Sequence, residues 1–247
     1  MRDWARRFGR SSRDRFRGTP AATPTPPGGS AAQAREKMVR DQIEARGIRD
    51  PELLRAFRSV PRHAFVEGPA AYEDRALPLH SGQTISQPYV VAAMTAAATP
   101  GRPGGWRDAR VLEVGTGSGY QAAILAELGA DVTSIERHPR LSHTAERRLR
   151  EAGYEQVRLV IGDGTRGHAA GAPYDAILVT AAGPSVPQPL LEQLRPDGGR
   201  LVMPVGTREH QAITLVERQG SELISRRLEQ VAFVPLLGEY GFREEPG

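Results

Sequence analysis

Hydrophobic and polar positions change their period along the chain. From Ala31 to Arg46, the residues Met38, Val39, Ile43 and Arg46 fall along one side of a helix, and Gly47 is its stop. Asp50-Pro51-Glu52 is an N-cap, a proline at the first helical position and an acid in the first turn. Leu53, Leu54 and Phe57 follow at helical spacing until Pro61 ends the run. Residues 61–85 show no period. Ser86-Gln87-Pro88 then opens a helix over Tyr89–Ala98 by the same cap-then-proline logic, with Ser86 as the capping hydroxyl. From Arg110 the pattern becomes strand–helix alternation. β-rich runs at Val111–Val114, Val132–Glu136, Val157–Ile161, Ala176–Thr180 and Leu201–Val205 are separated by helical stretches at Tyr120–Leu128, Leu141–Glu151 and Pro189–Leu194. Further strands fit at Ala212–Glu217 and Leu228–Val234. This spacing predicts an α/β fold, a doubly wound, mostly parallel seven-stranded sheet with helices on both faces, preceded by a helical segment. Trp106 and the Pro-Gly-Gly stretch before the first strand read as a surface loop.

Charge changes this picture only at one end. The 247 residues carry 33 basic and 29 acidic groups, a formal +4, with a pI near 9.8. Residues 1–18 hold seven arginines and two aspartates, a net +5; the other 229 residues hold 26 basic and 27 acidic groups, a net −1. The basicity belongs to the arm, and a nucleic-acid-binding face is not expected on the body; weak contact by residues 1–18 is the one exception. The proline-rich stretch Gly18–Ser30 reads as a linker, so 1–30 is expected as a disordered arm and 31–247 as one compact domain, helical over 31–100 and α/β over 101–247. With no cysteine, disulfides, iron–sulfur clusters, thiolate zinc sites and cysteine nucleophiles are excluded. The longest apolar run, Tyr89–Ala98, is about half a membrane span. Histidines 63, 80, 138, 143, 168 and 210 show no metal-ligand spacing, so no metal is expected.

The chemistry concentrates in Val111-Leu-Glu-Val-Gly115-Thr-Gly117-Ser-Gly119-Tyr120. A strand enters three glycines at alternate positions and a helix follows, which lets a ligand approach the backbone closely. The spacing is GxGxG, where the usual dinucleotide fingerprint is GxGxxG. Glu136 closes the second strand, where a carboxylate can accept from both hydroxyls of a ribose. Asp163, in Gly162-Asp163-Gly164 after the third strand, could accept from an adenine amino group. Taken singly, each has a bland reading as a tight turn, a solvated strand end or an Asp-Gly turn. In order, after successive strands, they point to an adenosine-containing ligand.

These residues resemble a class I S-adenosylmethionine-dependent methyltransferase. Four segments carry a narrower likeness: Leu77-Pro-Leu-His-Ser-Gly-Gln-Thr-Ile-Ser-Gln-Pro88, Val111–Gln121, Ala172–Ala182 and Val234-Pro-Leu-Leu-Gly238. Together they resemble the protein-L-isoaspartate O-methyltransferase family over roughly residues 35–242. The resemblance implies transfer of a methyl group from S-adenosyl-L-methionine to the free α-carboxylate of an L-isoaspartyl residue in a damaged protein or peptide. The ester then collapses to a succinimide, whose hydrolysis regenerates some normal aspartate. It implies cofactor contacts from Gln83, Thr84, Ile85, Glu113, Gly115, Thr116, Gly117, Gly119, Glu136, Asp163 and Gly164, and orientation of the substrate carboxylate by Ser86. Val234, Pro235 and Leu236 would form an extended edge along the bound peptide. Leu237 stands where some relatives carry a hydroxyl, so that contact is not expected here, and Arg137 reads as a solvated neighbour. A carboxylate is already ionised at neutral pH and needs no strong base, which suits a chain without a Ser/His/Asp or metal constellation. By the resemblance the protein is expected to be a cytoplasmic monomer whose partners are isoaspartyl proteins and peptides. Three competing readings are a methyltransferase for a small molecule or RNA, a nicotinamide oxidoreductase, and a non-catalytic nucleic-acid module. The Gln83–Pro88 block, the glycine spacing with Asp163, and the near-neutral body argue against them in turn.

Overall fold

A computed structural model of the chain describes residues 29–243. The expectation of a disordered arm therefore lies outside the described residues, except that Gly29 and Ser30 already belong to α1 (Gly29–Met38). The helix continues through one wide turn, Val39–Ile43, and one tight turn, Glu44–Arg46, and stops at Gly47 in the left-handed region at φ 96°. In α2 (Pro51–Ser59) the Asp50 carboxylate accepts from the N–H groups of Glu52 and Leu53 at 2.9 and 3.1 Å, as its cap position requires. The stretch without a period contains β1 (Leu77–Pro78) and β2 (Thr84–Ile85), a small antiparallel ribbon that leads into α3 (Pro88–Ala98).

The α/β part runs β3 (Arg110–Val114), α4 (Tyr120–Glu127), β4 (Asp131–Glu136), α5 (Pro139–Glu151), β5 (Arg158–Ile161), β6 (Ala176–Val179), α6 (Gln188–Glu192), β7 (Asp197–Gly206), β8 (Gln211–Gln219) and β9 (Glu222–Val231). The sheet order is β5-β4-β3-β6-β7-β8-β9, parallel from β5 to β7 and antiparallel at β7–β8 and β8–β9. Alternate residues of the central strands enter two cores. Val111, Val132, Ala176 and Val202 face the larger core beneath α1–α4; Leu112, Ile135, Ile177 and Met203 face the smaller one, which α6 covers with Leu190. The order reverses between β4 and β6, on either side of β3, so a crevice opens at the carboxyl ends of these strands.

Three expectations are corrected. The last strand spans Glu222–Val231 and not Leu228–Val234, because Gly220, at φ 64°, closes a two-residue hairpin after β8 and fixes the register from there. Trp106 is buried in the larger core, where bonds such as Asp108 N–H to Gly129 O at 2.9 Å fold its loop inward. Ser86 does not cap α3: the cap position is Gln87, which makes no capping bond and sends its side-chain amide to Asp74 Oδ1 at 2.8 Å.

Candidate active site

Gly115, Gly117 and Gly119 all hold positive φ, at 99°, 51° and 90°. A Cβ on Gly115 would stand 2.5 Å from Thr180 Oγ1, and Thr180 in turn donates to Gly115 O at 2.7 Å. The loop after β3 is thus pressed against the end of β6 with no room for a side chain. Gly119 has a packing reason instead, since a Cβ there would meet Leu149 Cγ at 3.2 Å.

Two adjoining cavities flank this loop. The first is lined by Gln83, Thr84, Gly115, Gly117, Glu136, Gly164 and Thr180, with Val114, Ile135, Ala181 and Val234–Leu237 as its apolar part. Arg137, which is exposed, and His138 also line it. Glu136 is nearly buried: Oε2 accepts from Gly117 N–H and Oε1 from His138 N–H, both at 2.9 Å. Each oxygen keeps a lone pair for a donor inside the cavity. The second cavity shares Thr84, Gly115, Gly117 and Thr180 and adds Ile85, Ser86, Met94, Glu113, Thr116, Tyr120 and Gln121. Glu113 is fully buried, with Oε2 accepting from Ser134 Oγ at 2.5 Å; Ser134 also meets Thr116 Oγ1 at 2.5 Å. Its Oε1 has no hydrogen-bond partner among the described residues. Burial pushes the Glu113 carboxyl up to about 8; the Ser134 bond opposes this and the Glu136 charge adds to it.

A third depression, an open groove, is lined by Thr84, Ser86, Gln87, Tyr89, Arg46 and residues 229–233. The Arg46 guanidinium lies 3.3 Å from the Tyr89 ring centre and 3.5 Å from Asp74 Oδ2. Thr84 and Ser86 belong to both the groove and the second cavity. The Ser86 hydroxyl makes no hydrogen bond among the described residues.

Of the residues singled out from sequence, Gly119 and Asp163 stand back from the cavities. The Asp163 carboxylate is taken up by Thr165 N–H and Oγ1 at 2.9 and 2.7 Å and by Glu239 N–H at 2.9 Å. Burial would raise its pKa, but these donors and Arg166 hold it below the usual carboxylate range. With Thr165 Oγ1, which accepts from Tyr240 N–H at 3.2 Å, it pins the segment that follows the lining residues Leu236 and Leu237. The expected peptide edge at Val234–Leu236 is partly spent as well, since Val234 O accepts from Ala182 N–H at 2.9 Å and Leu236 N–H donates to Ala182 O at 2.7 Å. These three residues remain in the lining of the first cavity. Thr180, Met94, Tyr120, Gln121 and the Arg46–Tyr89 pair were missed. Thr180 lies in the quoted Ala172–Ala182 segment, at a strand end, and Tyr120 and Gln121 close the quoted Val111–Gln121 segment; Met94 and the Arg46–Tyr89 pair carried no local signal. Among the described residues no group of three or more His, Asp or Glu could hold a metal ion, and no helix is long and apolar enough to cross a membrane.

Known proteins resemble this chain in sequence and in fold. Residues 33–241 match the family model described as protein-L-isoaspartate(D-aspartate) O-methyltransferase. A protein-L-isoaspartate O-methyltransferase of Methanospirillum hungatei is 52% identical over 214 residues, 85% of this chain and 96% of the relative. One from Gloeobacter violaceus is 49% identical over 208 residues, 82% and 98% of the two chains. A solved protein-L-isoaspartate O-methyltransferase superposes with a TM-score of 0.74 at 28% identity, covering 84% of this chain and 67% of that one. A Plasmodium falciparum structure solved with S-adenosyl-L-homocysteine shares the fold, with a TM-score of 0.71 at 21% identity over 82% of this chain and 98% of that one.

Proposed function

The chain belongs to the protein-L-isoaspartate(D-aspartate) O-methyltransferase family, and from that membership we propose how its residues divide the work. The enzyme transfers a methyl group from S-adenosyl-L-methionine to the α-carboxylate of L-isoaspartyl residues in damaged proteins and peptides. The residues present fit that cofactor. Glu136 offers two acceptors to two ribose hydroxyls, the apolar part of the first cavity suits a flat base, and the buried, unpartnered Glu113 Oε1 awaits a cation such as the α-ammonium of the methionine end. When bound, S-adenosyl-L-methionine supplies a methyl group on a positively charged sulfonium.

The protein's task is placement. Gly115, Gly117 and Gly164 leave the backbone bare against the ligand, Thr116 lies beside them with its hydroxyl turned to Ser134, and Gln83, Thr84 and Ile85 close the methionine end from the β1–β2 ribbon. The carboxylate arrives along the open groove and meets the Ser86 hydroxyl, which donates a hydrogen bond and aims it across the Thr84–Ser86 wall. No proton is abstracted, because the nucleophile is already ionised. Holding the reacting atoms in line and excluding water can supply several kcal/mol of the barrier. Val234–Leu236 contribute chiefly as cavity wall, and Asp163 acts through the segment it pins. Cytoplasmic location and action as a monomer follow the family in the same reading.

The observation that carries this assignment is that Ser86, whose hydroxyl makes no hydrogen bond among the described residues, lines both the second cavity and the groove. Ser86→Ala should lower kcat about ten- to a hundredfold and leave the Kd of S-adenosyl-L-homocysteine within threefold. An unchanged kcat would remove Ser86 from the reaction.

A further inference from the structure

Arg62 follows Pro61 at the end of α2, and its side chain is wholly buried. Nε donates to Ala71 O at 2.8 Å and Nη2 to Ser86 O at 2.7 Å. The guanidinium carbon lies 4.9 Å from the centre of the Tyr120 ring. Among the described residues Nη1 and the Tyr120 hydroxyl make no well-formed hydrogen bond, although the two groups interact weakly with each other. Among the described residues no carboxylate lies within ion-pair distance of Arg62, whereas the buried Asp175 has Arg195 at 2.5 Å.

Burying a lone cation is expensive; folds usually supply a counter-ion or use an apolar side chain instead. Arg62 has neither, and two of its three contacts, Ser86 and Tyr120, lead to the reaction. Ser86 lines the groove and the second cavity, and Tyr120 lines the second cavity next to the glycine loop. The cation sits directly behind the wall where an anion must dock, in surroundings that screen it poorly. Resting on the assignment of Ser86 above, we infer that Arg62 is a positioning residue. It clamps the Ser86 carbonyl, so aiming the hydroxyl, and its charge is answered by the substrate α-carboxylate on the other side of that peptide unit.

The two roles separate in kinetics. The charge stabilises the bound carboxylate and belongs to KM; the clamp fixes Ser86 and belongs to kcat. Arg62→Met should raise KM for an isoaspartyl peptide at least tenfold. It should also abolish the preference for that peptide over its α-carboxamide analogue, measured by inhibition, with the Kd of S-adenosyl-L-homocysteine within threefold. Arg62→Lys, which keeps the charge and loses the two-pronged grip, should retain the preference and lower kcat. A folded Arg62→Met enzyme that still prefers the carboxylate would overturn the inference. Should that variant not fold, the wild-type preference is measured at 50 and 500 mM salt. A buried cation predicts a change under about twofold, whereas collapse of the preference would assign the attraction to surface arginines and overturn the inference. If Ser86→Ala leaves turnover unchanged, the Ser86 assignment fails first. If it lowers turnover while Arg62→Met keeps the preference, only the role of Arg62 fails.

Discussion

Glu136→Ala tests the cofactor geometry most cleanly. Its carboxylate is nearly buried, is fixed by Gly117 N–H and His138 N–H at 2.9 Å each, and has one lone pair per oxygen left for the ligand. Two hydroxyl-to-carboxylate bonds are worth about 1.5–3 kcal/mol each in such a site. Water regains part of that in the truncated site, so the expected loss is about 3 kcal/mol, roughly a hundredfold in the Kd of S-adenosyl-L-homocysteine. Alanine also leaves two inward N–H groups unpaired, which adds to the effect. Glu136→Gln keeps one carbonyl acceptor and should fall between, near tenfold. Isothermal titration calorimetry reads both, and the 2′-deoxy ligand gives an independent check: wild type should lose affinity for it, and Glu136→Ala should not discriminate. A Kd within threefold of wild type for Glu136→Ala would refute the ribose assignment.

The high pKa of Glu113, about 8, has a sign that can be checked. The folded-state value lies above the unfolded one, so free-enzyme stability falls as pH climbs from about 4.5 towards 8, and Glu113→Gln should remove that slope in chemical denaturation. A cation bound beside Glu113 favours the carboxylate, so ligand affinity should rise about tenfold from pH 6 to 7 with release of a proton; calorimetry in buffers of different ionisation enthalpy reads this, and Glu113→Gln should abolish it. Thr165→Val removes a hydroxyl that donates to Asp163 and accepts from Tyr240 N–H at 3.2 Å. Residues 236–242 should then exchange amide hydrogens faster and S-adenosyl-L-homocysteine should dissociate about tenfold faster in stopped flow. Asp163 has a lowered folded-state pKa, so the stability it contributes is present above about pH 4 and is lost as pH falls through that lower value; acid exchange should loosen this segment early.

The central sheet was legible because its strands are buried on both faces and announce themselves as short apolar runs at regular spacing. Edge strand β9 was not. Most of its residues are exposed, so polar positions such as Ser225, Arg226 and Arg227 hid it, while the apolar Ala232–Val234 that follow read as strand and instead leave the edge to meet Ala182. The cap at Asp50 was readable because its partners are two and three residues away. Ser86 was misread as a cap because that rule is local, and the β1–β2 ribbon positions the serine one residue outside the helix. The glycine loop and Glu136 were readable from spacing alone. The occupation of Asp163 by Thr165 and Glu239, and of Arg62 by Ser86, depends on contacts up to 76 residues apart that no periodicity records.

Methyl transfer itself decides the account. The purified chain is given S-adenosyl-L-methionine with a labelled methyl group and either an isoaspartyl peptide or the same peptide with normal aspartate. The isoaspartyl peptide should acquire one base-labile methyl ester while the aspartyl peptide stays at background; equal labelling of the two, or none, would contradict it.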